Sequence, residues 1–115
     1  MSQLSLNLTQ GSVSFKFTLD SANALKAEIQ KLMQTLKEIA SERAAGKKKP
    51  SPKANMEYRY AGDVFLEVFC NPNIYATPFA AKVLITVRDD RLRLTTEAEL
   101  TQLVEDINSY LEQAV

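Results

Sequence analysis

The chain has 115 residues, with 14 Lys and Arg against 14 Asp and Glu, one cysteine and no histidine. A chain of this length can bury a sizeable core as one domain, and its zero net charge argues against a surface built throughout for nucleic acid. The absence of histidine removes the commonest general base and metal ligand, and a single cysteine excludes an internal disulfide. The first ten residues lack the basic and apolar regions of a signal peptide, and no run reaches the ~20 apolar residues of a membrane span. We therefore expect a cytoplasmic protein without a cofactor.

The N-terminal segment has the alternating pattern of a β-hairpin. Leucines alternate with polar residues from Leu4 to Leu8, and apolar residues alternate again from Val13 to Leu19. Gly11 lies in the polar segment between the two runs. A period of two is typical of strands that bury one face and expose the other.

A long amphipathic helix is predicted next. Asp20 or Ser21 is the expected N-cap, and apolar residues recur at helical spacing from Leu25 onward. The helix is expected to end near Arg43 or Ala44, before Gly46. Packing of its apolar stripe in the core is the favoured interpretation, and a coiled-coil contact is the alternative.

The segment 46–55 is rich in lysine and proline and contains no large apolar residue, so we expect a flexible connection. A short strand follows, in which Tyr58 and Tyr60 share one face. A lysine-rich loop beside tyrosines can hold phosphate groups and stack on bases, although a solvated loop and a half-buried edge strand explain the same residues. The candidate contacts with anions or nucleic acid are Lys47, Lys48, Lys49, Lys53, Tyr58, Arg59 and Tyr60.

The most apolar stretch runs from residue 64 to residue 87 and predicts two strands. The first is apolar on both faces except for Glu67, which is expected to pair with a cation across the sheet, or to lie in a pocket or at a subunit boundary. Cys70 is interpreted as a small buried residue and not as a reactive thiol. The connection 71–80 is unusual because it carries Tyr75 and Phe79, so it either folds back on the core or touches a partner.

The C-terminal third predicts a last strand and a second helix. Leu92 and Leu94 are expected to face inward on the strand, after a turn at Asp89-Asp90. Thr96 and Glu99 have the spacing of a capping box, so we expect the helix to start there. Its exposed face would be acidic, with Glu97, Glu99, Glu105, Asp106 and Glu112.

These elements together predict a single α+β domain over residues 1–115. The expected architecture is an antiparallel β-sheet of about five or six strands with two helices packed on one face, in the order ββα-ββ-ββα. A sheet with a parallel central pair, as in split βαβ folds, is the alternative.

The sheet itself suggests the function. If both helices cover one face, Phe65, Phe69 and Leu84, together with Tyr75 and Phe79, need cover on the other. The sequence therefore predicts a non-catalytic interaction or assembly protein, expected to be a homodimer, whose interface contains Phe65, Phe69, Tyr75 and Phe79. A nucleic-acid-binding module is the alternative. No residue is predicted to be catalytic or to bind a metal.

Overall fold

The computed structural model describes residues 2–46 and 51–113, and it confirms the α+β class. Within these residues the chain forms six strands, two helices and two single 3₁₀ turns. In chain order the elements are β1 (Ser2–Asn7), β2 (Ser12–Phe17), α1 (Leu19–Ala44), β3 (Met56–Ala61), β4 (Phe65–Cys70), the 3₁₀ turns Pro72–Ile74 and Pro78–Ala80, β5 (Lys82–Arg88), β6 (Arg93–Glu99) and α2 (Leu100–Gln113).

The strands form two sheets and not one. Strands β3, β4, β5 and β6 make a four-stranded meander in that order, and among the described strands β1 pairs with β2 alone. Every pairing among the described strands is antiparallel, so the alternative with a parallel central pair is wrong. The hairpin still touches the larger sheet, because the Thr9 backbone N–H and hydroxyl both donate to the carbonyl of Glu97, at 3.0 and 3.1 Å.

Alternation along the four-stranded sheet separates a buried inner face from an outer face. The inner face carries residues such as Leu66, Val68 and Ile85, which belong to the same core as the apolar stripes of α1 and α2 and the inner side of the β1–β2 hairpin. Both helices and the hairpin thus cover one face, as the helical and two-residue periodicities predict. The outer face is the opposite side of the four-stranded sheet.

The N-terminus of α1 differs slightly from the expectation. Thr18 is the N-cap, and its hydroxyl oxygen accepts a hydrogen bond from the Ser21 backbone N–H at 3.1 Å. Asp20 lies in the first turn, where a negative charge interacts well with the helix dipole. The helix ends at Ala44, and Gly46 takes the left-handed conformation with φ +93°.

The predicted capping box is wrong. Thr96 and Glu99 belong to β6, which continues to Glu99, and α2 starts at Leu100. Sheet pairing prevails over the local helix signal because Ala98 is buried opposite Val83 and the Leu100 N–H donates to the carbonyl of Ala81 at 3.0 Å. Glu97 and Glu99 are therefore strand residues. Leu92, expected to point inward, lies in the turn before β6 and is 69% exposed.

The segment between α1 and β3 is described only in part. Residues 47–50, which include Lys47, Lys48 and Lys49, lie outside the described residues. The rest of the segment makes specific contacts: Ser51 N–H donates to Glu42 at 3.0 Å, and Lys53 exchanges two hydrogen bonds of 2.8 Å with Asn73 through its backbone N–H and carbonyl. The amide of Asn73 thus joins this segment to the connection between β4 and β5.

Candidate interaction surface

The outer face of the four-stranded sheet is organised in three rows that run across the strands. The registers of the three pairings bring outward-pointing residues side by side, one from each strand. The rows are Glu57, Phe69, Leu84 and Glu97; then Arg59, Glu67, Thr86 and Thr95; and finally Ala61, Phe65, Arg88 and Arg93.

Three large apolar side chains lie on this face, and two of them are next to each other in the first row. Phe65 and Phe69 are half-buried, and Leu84, next to Phe69, is 43% exposed. The guanidinium of Arg88 lies 4.1 Å from the centre of the Phe65 ring, so a cation–π contact and the arginine stem cover part of that ring. The helices and the hairpin pack on the inner face, so they do not cover these apolar side chains.

Charge on the outer face is divided between its ends. The first row carries Glu57 and Glu97, and the third row carries Arg88 and Arg93. In the row between them, Glu67 has Arg59 on one side and Thr86 on the other. The register thus places beside Glu67 one of the cations expected to pair with it, and the face is acidic at one end and basic at the other.

Two of the four predicted interface residues lie on this face and two do not. Phe65 and Phe69 both lie on the outer face, where Phe69 is next to Leu84, whereas Tyr75 packs against the core. Burial raises the pKa of the Tyr75 hydroxyl, and nearby Cys70 adds to the effect. Phe79 is 83% exposed, on a 3₁₀ turn that contacts both helices. The predicted interface therefore divides between the outer face and the connection 71–81.

The described residues predicted to contact nucleic acid do not form one surface. Lys53 lies 3.9 Å from Glu38 and 3.6 Å from Glu42, so acidic side chains surround its charge. Tyr58 is only 8% exposed, and its hydroxyl donates to the carbonyl of Ser21 at 3.0 Å. Burial raises the pKa of Tyr58 to about 12. A ring enclosed in this way has no face available for stacking on a base.

The other two described candidates for nucleic-acid contact, Tyr60 and Arg59, point to opposite faces of the sheet. Tyr60 lies on the inner side, with its ring edge-to-face on Phe17 at a centroid distance of 4.7 Å. Arg59 points to the outer face. The three lysines at 47–49 lie outside the described residues.

The chemistry of the remaining polar groups is limited. Cys70 is buried, and burial raises the pKa of its thiol to about 11, which keeps the thiol protonated at neutral pH. Among residues 2–46 and 51–113, no group of three or more acidic or cysteine side chains is arranged to hold a metal ion. Within the same residues, no helix is both long enough and apolar enough to cross a bilayer.

Sequence reasoning recognised the aromatic residues of the outer face but missed the charged ones around them. Only the rows show the importance of Arg88, Arg93 and Glu57, and the rows depend on strand register. Neither a protein-family model, nor a curated protein, nor a solved structure matches this chain.

Proposed function

We propose that this protein is a non-catalytic assembly protein that binds a second copy of itself through the outer face of its four-stranded sheet. The observation that carries the proposal is that this face presents three large apolar side chains, with Phe69 and Leu84 side by side in the first row and Phe65 in the third row. Contiguous apolar side chains on a protein surface commonly mark an interaction site.

Charge complementarity supports a second copy as the partner. If two outer faces meet with their strands running in opposite directions, the acidic row of each copy lies over the basic row of the other. Glu97 then faces Arg93 of the second copy, and Phe69 faces Phe65 of the second copy. The parallel arrangement would instead place the acidic row of one copy, with Glu57 and Glu97, over the acidic row of the other, which is repulsive. The charges therefore favour one orientation, and that orientation also brings Phe69 of each copy against Phe65 of the other.

The size of the face favours a modest affinity. Four strands about 4.8 Å apart and about six residues long give roughly 400 Å² in projection, against about 800 Å² per partner in a standard stable interface. We therefore expect a reversible association and not a permanent dimer.

A matched pair of leucine substitutions tests the proposal. Leu84→Glu places a charge among the apolar side chains of the outer face, whereas Leu92→Glu makes the same change at an exposed turn outside the three rows. Light scattering behind a sizing column, over a concentration series, is expected to show that Leu84→Glu weakens self-association at least about tenfold and that Leu92→Glu does not. Equal behaviour of the two variants, or a monomeric unaltered protein at all concentrations, would overturn the proposal.

Phe79→Glu separates this surface from the connection 71–81. If Phe79→Glu abolishes association while Leu84→Glu has no effect, the interface lies at that connection and the outer-face proposal is wrong. Both side chains are exposed, so both substitutions are expected to leave the fold intact.

Nucleic-acid binding is the alternative function, and it has less support. Lys53 and Tyr58 are occupied within the fold, so the alternative rests on Arg59 and the lysines at 47–49. It predicts that an oligonucleotide binds at low salt, that binding weakens steeply as salt rises, and that changing the three lysines to alanine removes it. No binding at low salt would exclude this function.

A further inference from the structure

Strand β3 is an edge of the four-stranded sheet. Its partner on one side is β4, and no strand in residues 2–46 or 51–113 pairs with its other side. An unpaired edge presents backbone N–H and C=O groups that can accept another strand. Edges are usually protected by charge, and β3 indeed exposes Glu57 and Arg59 on its outer side.

The two charges on β3 have opposite sign and lie two residues apart, with Tyr58 between them. In an antiparallel pair of two β3 strands related by a two-fold axis at Tyr58, Glu57 of each copy is directly opposite Arg59 of the other. Two opposite-charge cross-strand pairs then form, each of which stabilises a sheet. We infer that the open edge of β3 pairs with the same edge of a second copy in this register, joining two four-stranded sheets into one of eight strands.

The register is determined by the sequence of the strand. An axis at Glu57 would place Glu57 opposite itself, and an axis at Arg59 would place Arg59 opposite itself, so both are repulsive. A shift by a single residue would put outward side chains opposite inward ones, which the pleat does not allow. The axis at Tyr58 is the one arrangement that matches both the charges and the faces.

The contact between the two β3 strands also continues the charge pattern of the rows. Arg59 already has Glu67 beside it on β4, and the second copy adds Glu57 on its open side, so that the positive charge lies between two negative ones. On the helix side of the same edge, a groove of about 240 Å³ separates α1 from the start of β3 and is lined by Leu32, Thr35, Asn55 and Met56. The inward-pointing Met56 and Tyr58 of each copy are buried in their own core, so the pairing does not fill this groove.

Edge pairing differs from the outer-face contact because it uses the backbone edge of β3. Glu57 also belongs to the acidic row of the outer face, so the charge-reversal test below starts from a Leu84→Glu background. The two contacts are compatible, since edge-paired copies present their outer faces on the same side. The inference therefore stands or fails separately from the proposed function.

Charge reversal tests the pairing of the two β3 strands. In a Leu84→Glu background, which removes the outer-face contact, sedimentation velocity is expected to show a dimer that Glu57→Arg weakens about tenfold or more. The double variant Glu57→Arg/Arg59→Glu exchanges the two charges and is expected to restore the dimer. Glu105→Arg makes the same change of net charge on the exposed side of α2 and serves as the control. A monomeric Leu84→Glu protein, or a dimer that responds equally to Glu57→Arg and Glu105→Arg, would overturn the inference.

A disulfide experiment tests the register and does not depend on the charges. When Glu57→Cys and Arg59→Cys proteins are mixed and oxidised, the inferred register places the two thiols on directly opposite residues, within disulfide reach. Either protein alone offers only a diagonal pair about 7–8 Å apart, which is too far. The expected product is a mixed dimer that forms much faster than either homodimer, and equal rates in all three samples would contradict the register. Cys70 is present in every sample and is buried.

Discussion

Asp106 of α2 holds Asn7 of the hairpin with both of its carboxylate oxygens. One oxygen accepts from the Asn7 backbone N–H at 2.7 Å, and the other accepts from the Asn7 side-chain amide at 2.8 Å and from Gln102 at 2.9 Å. The carboxylate is only 7% exposed. A buried carboxylate is tolerated because three donors satisfy it, and this contact fixes the end of β1 against α2.

Replacing this carboxylate is expected to destabilise the fold. Asp106→Asn keeps the shape of the side chain but turns one acceptor into a donor that faces a donor, so the free energy of unfolding should fall by about 1–3 kcal/mol. Glu105→Gln, on the exposed side of the same helix, is the matched control and should change stability by less than about 0.5 kcal/mol. Urea unfolding measures both, and similar losses for the two variants would show that the contact contributes little.

Gly62 is expected to be intolerant of a side chain because of Tyr60. A Cβ at position 62 would overlap the Tyr60 hydroxyl and would lie 2.5 Å from Cζ of the ring. The ring cannot easily move, since it packs edge-to-face on Phe17. Gly62→Ala should therefore cost about 1–3 kcal/mol in the free energy of unfolding.

A double-mutant cycle identifies the cause of that loss. In a Tyr60→Ala background the ring is absent, so adding Gly62→Ala should have little further effect. If Gly62→Ala costs the same with and without the ring, the explanation by steric overlap is wrong.

Stability is expected to fall at alkaline pH, in part through Tyr58. Its hydroxyl ionises near pH 10 in the unfolded chain, and its pKa in the fold is raised to about 12 by burial, a change that the hydrogen bond to Ser21 opposes and nearby Tyr60 reinforces. Because the folded pKa is the higher one, the stabilisation is fully present below pH 10 and is lost as the pH rises through 12.

Tyr58→Phe should reduce this alkaline loss. The variant is expected to be less stable at pH 8 by about 1 kcal/mol, because the hydrogen bond to the Ser21 carbonyl is removed. Its stability should then fall less steeply than that of the unaltered protein between pH 10 and 12. Parallel curves of unfolding free energy against pH would exclude a contribution from Tyr58.

Asn73 is expected to control the opening of the segment before β3. Its side chain accepts from the Lys53 N–H and donates to the Lys53 carbonyl, so Asn73→Ala should speed hydrogen exchange at the Lys53 amide about tenfold. Asn55→Ala, at an exposed position nearby, is the control. An unchanged exchange rate would mean that other contacts hold this segment.

Much of the secondary structure could be predicted because its signals are local. The alternation from Leu4 to Leu8 and from Val13 to Leu19, and the helical spacing that follows Leu25, each reflect the geometry of a single element. The structure has the hairpin and the long helix within a few residues of the expected bounds. The N-cap was displaced to Thr18 because several neighbouring residues there can serve as caps.

Errors arose where a residue's partner is distant in the chain. Thr96 and Glu99 match a capping box locally, but pairing with β5 and the hydrogen bond between Leu100 and Ala81 keep them in a strand. Asp106 fitted an exposed acidic helix face, yet its partner Asn7 is 99 positions away. No local pattern contains that information.

The sequence by itself determined the elements, their buried sides and the α+β class, because periodicity and turn residues act within a few positions. The tertiary structure alone decided that the hairpin forms a separate sheet, that Tyr75 packs against the core, and that Phe69 and Leu84 lie side by side in the acidic row while Phe65 lies in the basic row. These relationships depend on strand register and on the packing of the hairpin against α2. Both are set by contacts between residues far apart in the chain, and no periodicity records them.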